Sequence, residues 1–456
     1  MAVRPERGPL ALLSAGRGLA LVLLTGLAAL SLQACQADGG SGPQAEAGEV
    51  AAGLDPLRAE RLEELLVRLE EQVAEAGAAG AVVLVERSGR RELEATVGQP
   101  LAEGGGPRGV PGDEVIFPIF SMTKPVVCLA AMQLVEEGRL GLEEPLSRYL
   151  EEWSSPSVAV LGPDGELLES RPASRPVTVG DLLSHTSGLT SGLMESGALG
   201  RLYRESGLSR EFASNRERSR VLATLPLAFD PGTGWAYGHS TDVVGALLEV
   251  VEGESLERVL ERRVLGPLGM RDTAFHVDPA SRSRVVSVLE PGVEEGEVRS
   301  PLTVPLAPPS APSGGGGLYS TASDYLRFCQ LLLGRGQREG VRLLSEETFA
   351  LMTVDRTAGL PPPELLSGRG FGIGFALLTE ASAGPLNGRE GGLHWSGIRG
   401  SSFFVDPEEE LCAVFLIRAG RGDFRPMTTF RKGVYAALPA YESEPSKASG
   451  GSEVGE

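Results

Sequence analysis

Strand-like patterns gather at the two ends of this sequence, and the stretch between them is mostly helical in pattern. Near the N-terminus, residues 81–85 and 93–97 are apolar runs that flank Ser88-Gly89-Arg90 and read as a β-hairpin. From Phe371 onward the pattern is strand-like again, over residues 372–378, 392–395, 402–405 and 411–417. Helical patterns fill the remainder. Asp55 caps and Pro56 opens a helix whose apolar face is Leu57, Leu62, Leu65, Leu66 and Leu69. Further helices are predicted over residues 178–183, 242–252, 256–264, 321–333 and 424–438, and residues 190–225 are polar and Arg-rich with helical stretches. Residues 291–312 read as a long Pro-rich connection that runs into the glycines at 314–317. Strands segregated to the two ends predict an α+β fold. It has one antiparallel sheet built from N- and C-terminal strands, flanked by helices, with an inserted, mostly helical lobe.

The ends of the chain read differently from this middle. Arg4, Arg7 and Arg17 precede an apolar run over residues 19–32, which is short for a membrane span and has the build of a targeting segment. It closes on Leu32-Gln33-Ala34-Cys35, which resembles a bacterial lipoprotein signal. The resemblance implies a signal peptide over 1–34, lipidation of Cys35 and a place in the cell envelope, facing the periplasm or in the outer membrane. Residues 35–52 are the composition of a flexible tether, residues 53–440 a single domain, and residues 441–456 a polar, disordered tail. A net charge of −19 argues against nucleic acid as a partner. Cys128, Cys329 and Cys412 lie in apolar patterns, and His185, His239, His276 and His394 are scattered without ligand spacing. Neither set suggests a disulfide framework, a metal or a cofactor, so the thiols are expected to be buried and inert.

The chemistry concentrates at Ser121-Met122-Thr123-Lys124. An apolar run ends at Phe120, and a helical pattern then starts that includes Val126, Val127, Leu129, Ala130 and Met132. Pro125 fits a first helical turn, where backbone N–H groups have no intrahelical partner to lose. Ser121 and Lys124, three apart, share a helix face. A serine hydroxyl is a poor nucleophile until a base takes its proton, and a lysine amine serves as that base where burial or nearby positive charge makes it shed its own. The positive end of the helix favours the anion that forms at the serine.

Three other stretches accompany it: Pro231-Gly232-Thr233-Gly234-Trp235-Ala236-Tyr237-Gly238-His239-Ser240, Ser313-Gly314-Gly315-Gly316-Gly317-Leu318-Tyr319, and His394-Trp395-Ser396-Gly397. With Ser184-His185-Thr186-Ser187-Gly188-Leu189, they resemble the serine β-lactamase and penicillin-binding-protein superfamily. The resemblance lies in the branch of class C β-lactamases, D-alanyl-D-alanine carboxypeptidases and family VIII esterases, and covers roughly residues 55–438. It implies that Ser121 is the acylated nucleophile, Lys124 its base and Tyr237 a second proton shuttle. It further implies an oxyanion hole made by the backbone N–H groups of Ser121 and Ile398, and a substrate-binding edge of His239, Trp395, Ser396 and Gly397. His185 is expected to order the loop around Gly188.

Two positions depart from the family pattern. His239 stands where the family has Asn, and Trp395 where it has Lys. Indole in place of a cation removes a charge-assisted contact to a substrate carboxylate and adds apolar surface. The reading is therefore a serine hydrolase acting on small neutral esters through an acyl-enzyme. The alternatives are a β-lactamase or D-Ala-D-Ala carboxypeptidase with the same chemistry, or a non-catalytic cell-envelope binding protein.

Overall fold

The computed structural model describes residues 49–100, 112–291, 297–361, 364–420 and 422–438. The expected signal peptide, Cys35 and the tail from 441 lie outside these residues.

An eight-stranded antiparallel sheet forms the base of the molecule. Its strands run in the order Glu49–Val50, Arg90–Gly98, Gly80–Arg87, Leu411–Arg418, Gly400–Asp406, Leu393–Ser396, Ala376–Leu377, Gly370–Phe371. The two ends of the chain meet where Gly80–Arg87 pairs with Leu411–Arg418, in a register that sets Val83 opposite Phe415 and Ala81 opposite Ile417. Successive side chains on a strand face opposite ways, and here both faces are covered. Ala81, Val83, Val85, Ala413, Phe415 and Ile417 pack under the helices Pro56–Glu75 and Arg425–Ala436. Val82, Leu84, Cys412, Val414 and Leu416 pack into the larger core beneath the helical lobe. Covering on both sides explains why the central strands read as unbroken apolar runs rather than as alternation. The α+β fold with sheet strands from both ends is as the sequence predicts.

The helix Thr123–Glu136 runs through that larger core, buried from Thr123 to Leu134. A helix apolar on every side belongs inside a protein, and this one carries Lys124 in with it. Asp55 caps the helix Pro56–Glu75 by accepting from the N–H groups of Leu57 and Arg58. Thr178 closes a capping box with Asp181 on Val179–Leu183, and Thr321 caps Ala322–Leu333 through the N–H of Asp324. The Asp55 cap falls where the sequence places it, and Thr178 and Thr321 are residue types suited to the cap positions they hold.

Several expectations are corrected. The end of the expected tether is part of the sheet: Glu49–Val50 pairs with Leu93 and Glu94, because the N-terminal hairpin leaves that edge open. The Pro-rich connection expected over 291–312 begins inside a hairpin, Ser287–Pro291 against Glu297–Pro301, with proline only at strand ends, where no interior ladder bond is lost. A second hairpin, Ser157–Leu161 against Leu167–Pro172, was not read from the sequence; its second strand is almost wholly exposed, so no buried face imposes an alternating pattern on it. The single strand expected over 372–378 is instead a tight hairpin of Gly370–Phe371 and Ala376–Leu377. Gly374 makes it possible: its φ is +86°, and a Cβ there would meet Cys128 Cβ at 2.9 Å.

Candidate active site

Ser121 lies in a single 3-10 turn, Phe120–Met122, immediately ahead of the buried helix. Phe120 has φ +48°, a left-handed conformation that a bulky residue adopts only when its surroundings hold it there. The supports are visible. Ile119 N–H donates to Leu318 O at 3.0 Å, Leu318 N–H donates to Thr123 Oγ1 at 3.1 Å, and Tyr325 Oη donates to Met122 O at 2.8 Å. The chain after the glycine run thus clamps the turn from outside, while the helix fixes it from within.

Lys124, 4% exposed, brings its ammonium nitrogen 3.3 Å from Ser121 Oγ and 2.6 Å from the carbonyl oxygen of Gly315. The same nitrogen sits 4.6 Å from the centre of the Tyr237 ring. Tyr237 belongs to the loop ahead of the helix Ser240–Glu252, and its Oη accepts a hydrogen bond from Trp395 Nε1 at 3.2 Å. Ser121, Lys124, Tyr237 and Trp395, drawn from three separated stretches, therefore form one connected run.

Aromatic rings brace this run. Trp395 meets Tyr237 edge-on at 5.2 Å between centroids and Phe371 at 5.1 Å; Trp235 stacks on Tyr237 at 5.9 Å. Trp395 is only 8% exposed, so the indole reaches the site through the phenol rather than as the open apolar wall expected from sequence. His185 lies wholly buried, its ring 4.9 Å from Tyr237. Burial first, and then the Lys124 charge, hold its imidazole well below the usual histidine range, so it is neutral. Its carbonyl accepts from Ala236 N–H at 3.0 Å and so tethers the Tyr237 loop, in keeping with a structural role.

The strand Leu393–Ser396 ends at Gly397, which lies flat against the Ser121 turn. A Cβ on Gly397 would stand 2.8 Å from Ile119 O and 3.2 Å from Phe120 Cβ. Glycine thereby brings the segments that carry the Ser121 and Ile398 amides side by side. Ser121, Tyr237, His239, Ser396 and Ile398 are each partly exposed, whereas Lys124 and Trp395 are buried behind them.

His239 does not stand alone. Its Nδ1 is 3.0 Å from Asp242 Oδ2, and its ring lies parallel to Tyr203 at 6.5 Å. Asp242 escaped the sequence reading. Burial alone would raise its carboxyl, but the His239 contact, Arg218 and the Ser313 hydroxyl together hold it well below the usual carboxylate range. One signal was present: an acid three residues past His239 shares its helix face in an otherwise apolar pattern. The three cysteines are buried, and burial pushes the Cys128 thiol up to about 12, which makes it inert. Among the described residues no group of three or more His, Cys, Asp or Glu is placed to hold a metal ion.

A nucleophile-type serine against a buried lysine and a tyrosine, on an antiparallel sheet with a helical lobe, defines a serine hydrolase of the β-lactamase fold. The Beta-lactamase family model matches residues 66–435, and the chain belongs to that family. Among its relatives, Protein Rv1367c of Mycobacterium tuberculosis is 39% identical over 328 residues, 68% of this chain and 79% of the relative. Esterase EstB of Burkholderia gladioli is 34% identical over 380 residues, 78% of this chain and 91% of the relative. Among solved structures, EstCE1, a hydrolase with promiscuous acyltransferase activity, superposes with a TM-score of 0.65 at 28% identity, covering 82% of this chain and 99% of its own. EstB, an esterase, and EstCE1, a hydrolase with promiscuous acyltransferase activity, support esterase-type activity.

Proposed function

We propose that this protein is a carboxylesterase that forms an acyl-enzyme at Ser121 and acts on small neutral esters. The observation that carries the proposal is the Ser121–Lys124–Tyr237–Trp395 run, in which position 395 donates to the Tyr237 oxygen through an indole N–H and brings no cation of its own.

The reaction follows from that arrangement. Lys124 acts as base once it has given up its own proton, and its amine then takes the Ser121 hydroxyl proton as Oγ attacks the ester carbonyl carbon. The carbonyl oxygen becomes an oxyanion, held by the N–H groups of Ser121 and Ile398. The C–O bond to the alcohol breaks, and Tyr237 supplies the proton the departing alkoxide needs, regaining one from Lys124. Water then attacks the acyl carbon, its proton passes back along the same path, and the carboxylic acid leaves with Ser121 restored. Trp395 holds the phenol through its N–H and keeps the wall behind it apolar.

The substrate class is supported by what stands behind Tyr237: the buried indole brings no cation toward the site through the phenol. A substrate carboxylate beside Tyr237 would lack the ion-pair partner that a lysine at 395 would supply, which is unfavourable, whereas a neutral ester has no such penalty. The Arg399 guanidinium donates to the Ala419 carbonyl at 3.4 Å, and Arg399→Ala measured beside the wild type tests whether its charge serves the site. The β-lactamase or peptidase reading uses the same catalytic groups and differs only in this respect. The test is a paired measurement of kcat/KM for p-nitrophenyl butyrate and nitrocefin on the wild type and Trp395→Lys. The proposal expects the ester to be strongly preferred by the wild type and the ratio to move toward nitrocefin in the variant; efficient nitrocefin hydrolysis by the wild type refutes it. The proposal places the enzyme in the bacterial cell envelope, anchored by lipid on Cys35.

A further inference from the structure

The proposed chemistry gives no role to the glycine run at 314–317 or to the buried carboxylate of Asp242, yet the two are built together. Gly315 accepts from Lys124 Nζ at 2.6 Å, a closer contact than the 3.3 Å from Nζ to Ser121 Oγ. An uncharged amine has one lone pair, and its direction is set by where the N–H groups are anchored. Anchoring Nζ on the Gly315 carbonyl leaves the lone pair free to face Ser121. The aim of the base is therefore only as good as the placing of that carbonyl.

Asp242 does the placing. Its Oδ1 accepts from Gly315 N–H at 3.2 Å and from Ser313 Oγ at 2.6 Å, so one carboxylate oxygen grips both ends of the segment 313–315. Its Oδ2 faces His239 Nδ1 at 3.0 Å, and Arg218 stands 3.8 Å from Oδ1. Arg218 in turn donates to the carbonyls of Ala311 at 2.8 Å and Pro312 at 3.4 Å and to Asn215 Oδ1 at 2.7 Å. Asp242 itself is 7% exposed, in the first turn of the helix Ser240–Glu252. The glycines permit the close approach: a Cβ on Gly315 would stand 3.0 Å from Asp242 Oδ2, and one on Gly314 would stand 2.5 Å from Thr241 O.

We infer that Asp242 is a positioning residue for the ester reaction, which orients the Lys124 amine toward Ser121 by fixing the Gly315 carbonyl, with Arg218 and His239 holding the carboxylate in place. The inference rests on the acyl-enzyme reading. It assigns Asp242 no contact with substrate, so disturbing it reduces the rate of the chemistry and leaves substrate binding alone.

The test measures kcat and KM separately for p-nitrophenyl butyrate on Ser121→Ala, Asp242→Asn and Gly315→Ala, with thermal melting of each protein. Asp242→Asn keeps the side-chain shape and removes the charge; Gly315→Ala pushes the carboxylate back from the loop. The expected result is a kcat lower by about 10²-fold in both folded variants, the scale of a small misplacement of a catalytic group, with KM within about twofold. If Ser121→Ala retains turnover, the acyl-enzyme reading is wrong and this inference goes with it. If Ser121→Ala is inactive while the folded Asp242→Asn and Gly315→Ala enzymes keep wild-type kcat, or lose only in KM, the positioning role alone is overturned. Should Asp242→Asn fail to fold, Gly315→Ala decides.

Discussion

The indole N–H of Trp395 donates a hydrogen bond to Tyr237 Oη at 3.2 Å. A position expected to offer substrate an apolar surface therefore acts on the phenol instead. The two roles separate in Trp395→Phe, which keeps the apolar surface and loses the donor. One hydrogen bond is worth ~0.5–1.5 kcal/mol, so kcat for p-nitrophenyl butyrate should fall by roughly 2- to 10-fold with KM little changed. An unchanged kcat with a raised KM would return Trp395 to the role of a substrate wall.

Lys124→Ala and Tyr237→Phe should each slow acylation by about 10²–10⁴-fold, the usual contribution of a positioned proton-transfer group. Stopped-flow measurement of the p-nitrophenol burst isolates that step. Near-normal bursts in both variants would rule out the proton path through these two residues.

How much of this was legible in the sequence depended on how far apart the interacting residues are. The central strands announced themselves because burial on both faces leaves unbroken apolar runs such as 81–85 and 411–417. The hairpin Ser157–Leu161 with Leu167–Pro172 did not, because its second strand is open to solvent and burial imposes no pattern on it. Ser121 and Lys124 were readable because their spacing is local, and the chain helps: it has lysine only at 124, 432 and 447, so a lysine in an apolar helix stands out. Asp242 was not readable. Its partners Ser313 and Gly315 lie in a segment some seventy residues further on, and only the fold brings them together. The turn at Gly374 was lost for a similar reason, since the need for glycine comes from Cys128 on another element.

Acid stability offers a check on the lobe. Glu252, nearly buried, bonds to Arg139, Arg262 and Arg263. Burial opposes its charge, but the Arg263 and Arg262 hydrogen bonds and the surrounding positive charge outweigh it, and its carboxyl falls from 4.5 to about 2. A carboxyl depressed in the folded state stabilises the protein above its unfolded value, and that stability is lost as pH falls through the folded one. Wild type minus Glu252→Gln, followed by denaturant unfolding, should therefore show a stability difference that shrinks between about pH 4.5 and pH 2. A difference that stays flat over that interval would contradict the ion-pair assignment.

The proposed lipid anchor supplies an independent prediction. Cells grown with a radiolabelled fatty acid should label the wild-type protein and not Cys35→Ser. Equal labelling of both, or of neither, contradicts the proposed anchor.

Everything proposed for the chemistry depends on a covalent bond at one atom, Ser121 Oγ. Mass spectrometry with peptide mapping, after incubation with a fluorophosphonate or an acid-quenched turnover of p-nitrophenyl butyrate, looks for that bond directly. A single adduct on the peptide holding Ser121, absent from a folded Ser121→Ala protein that no longer hydrolyses the ester, is the predicted result. An adduct on another residue, or an unmodified Ser121 during full turnover, would contradict it.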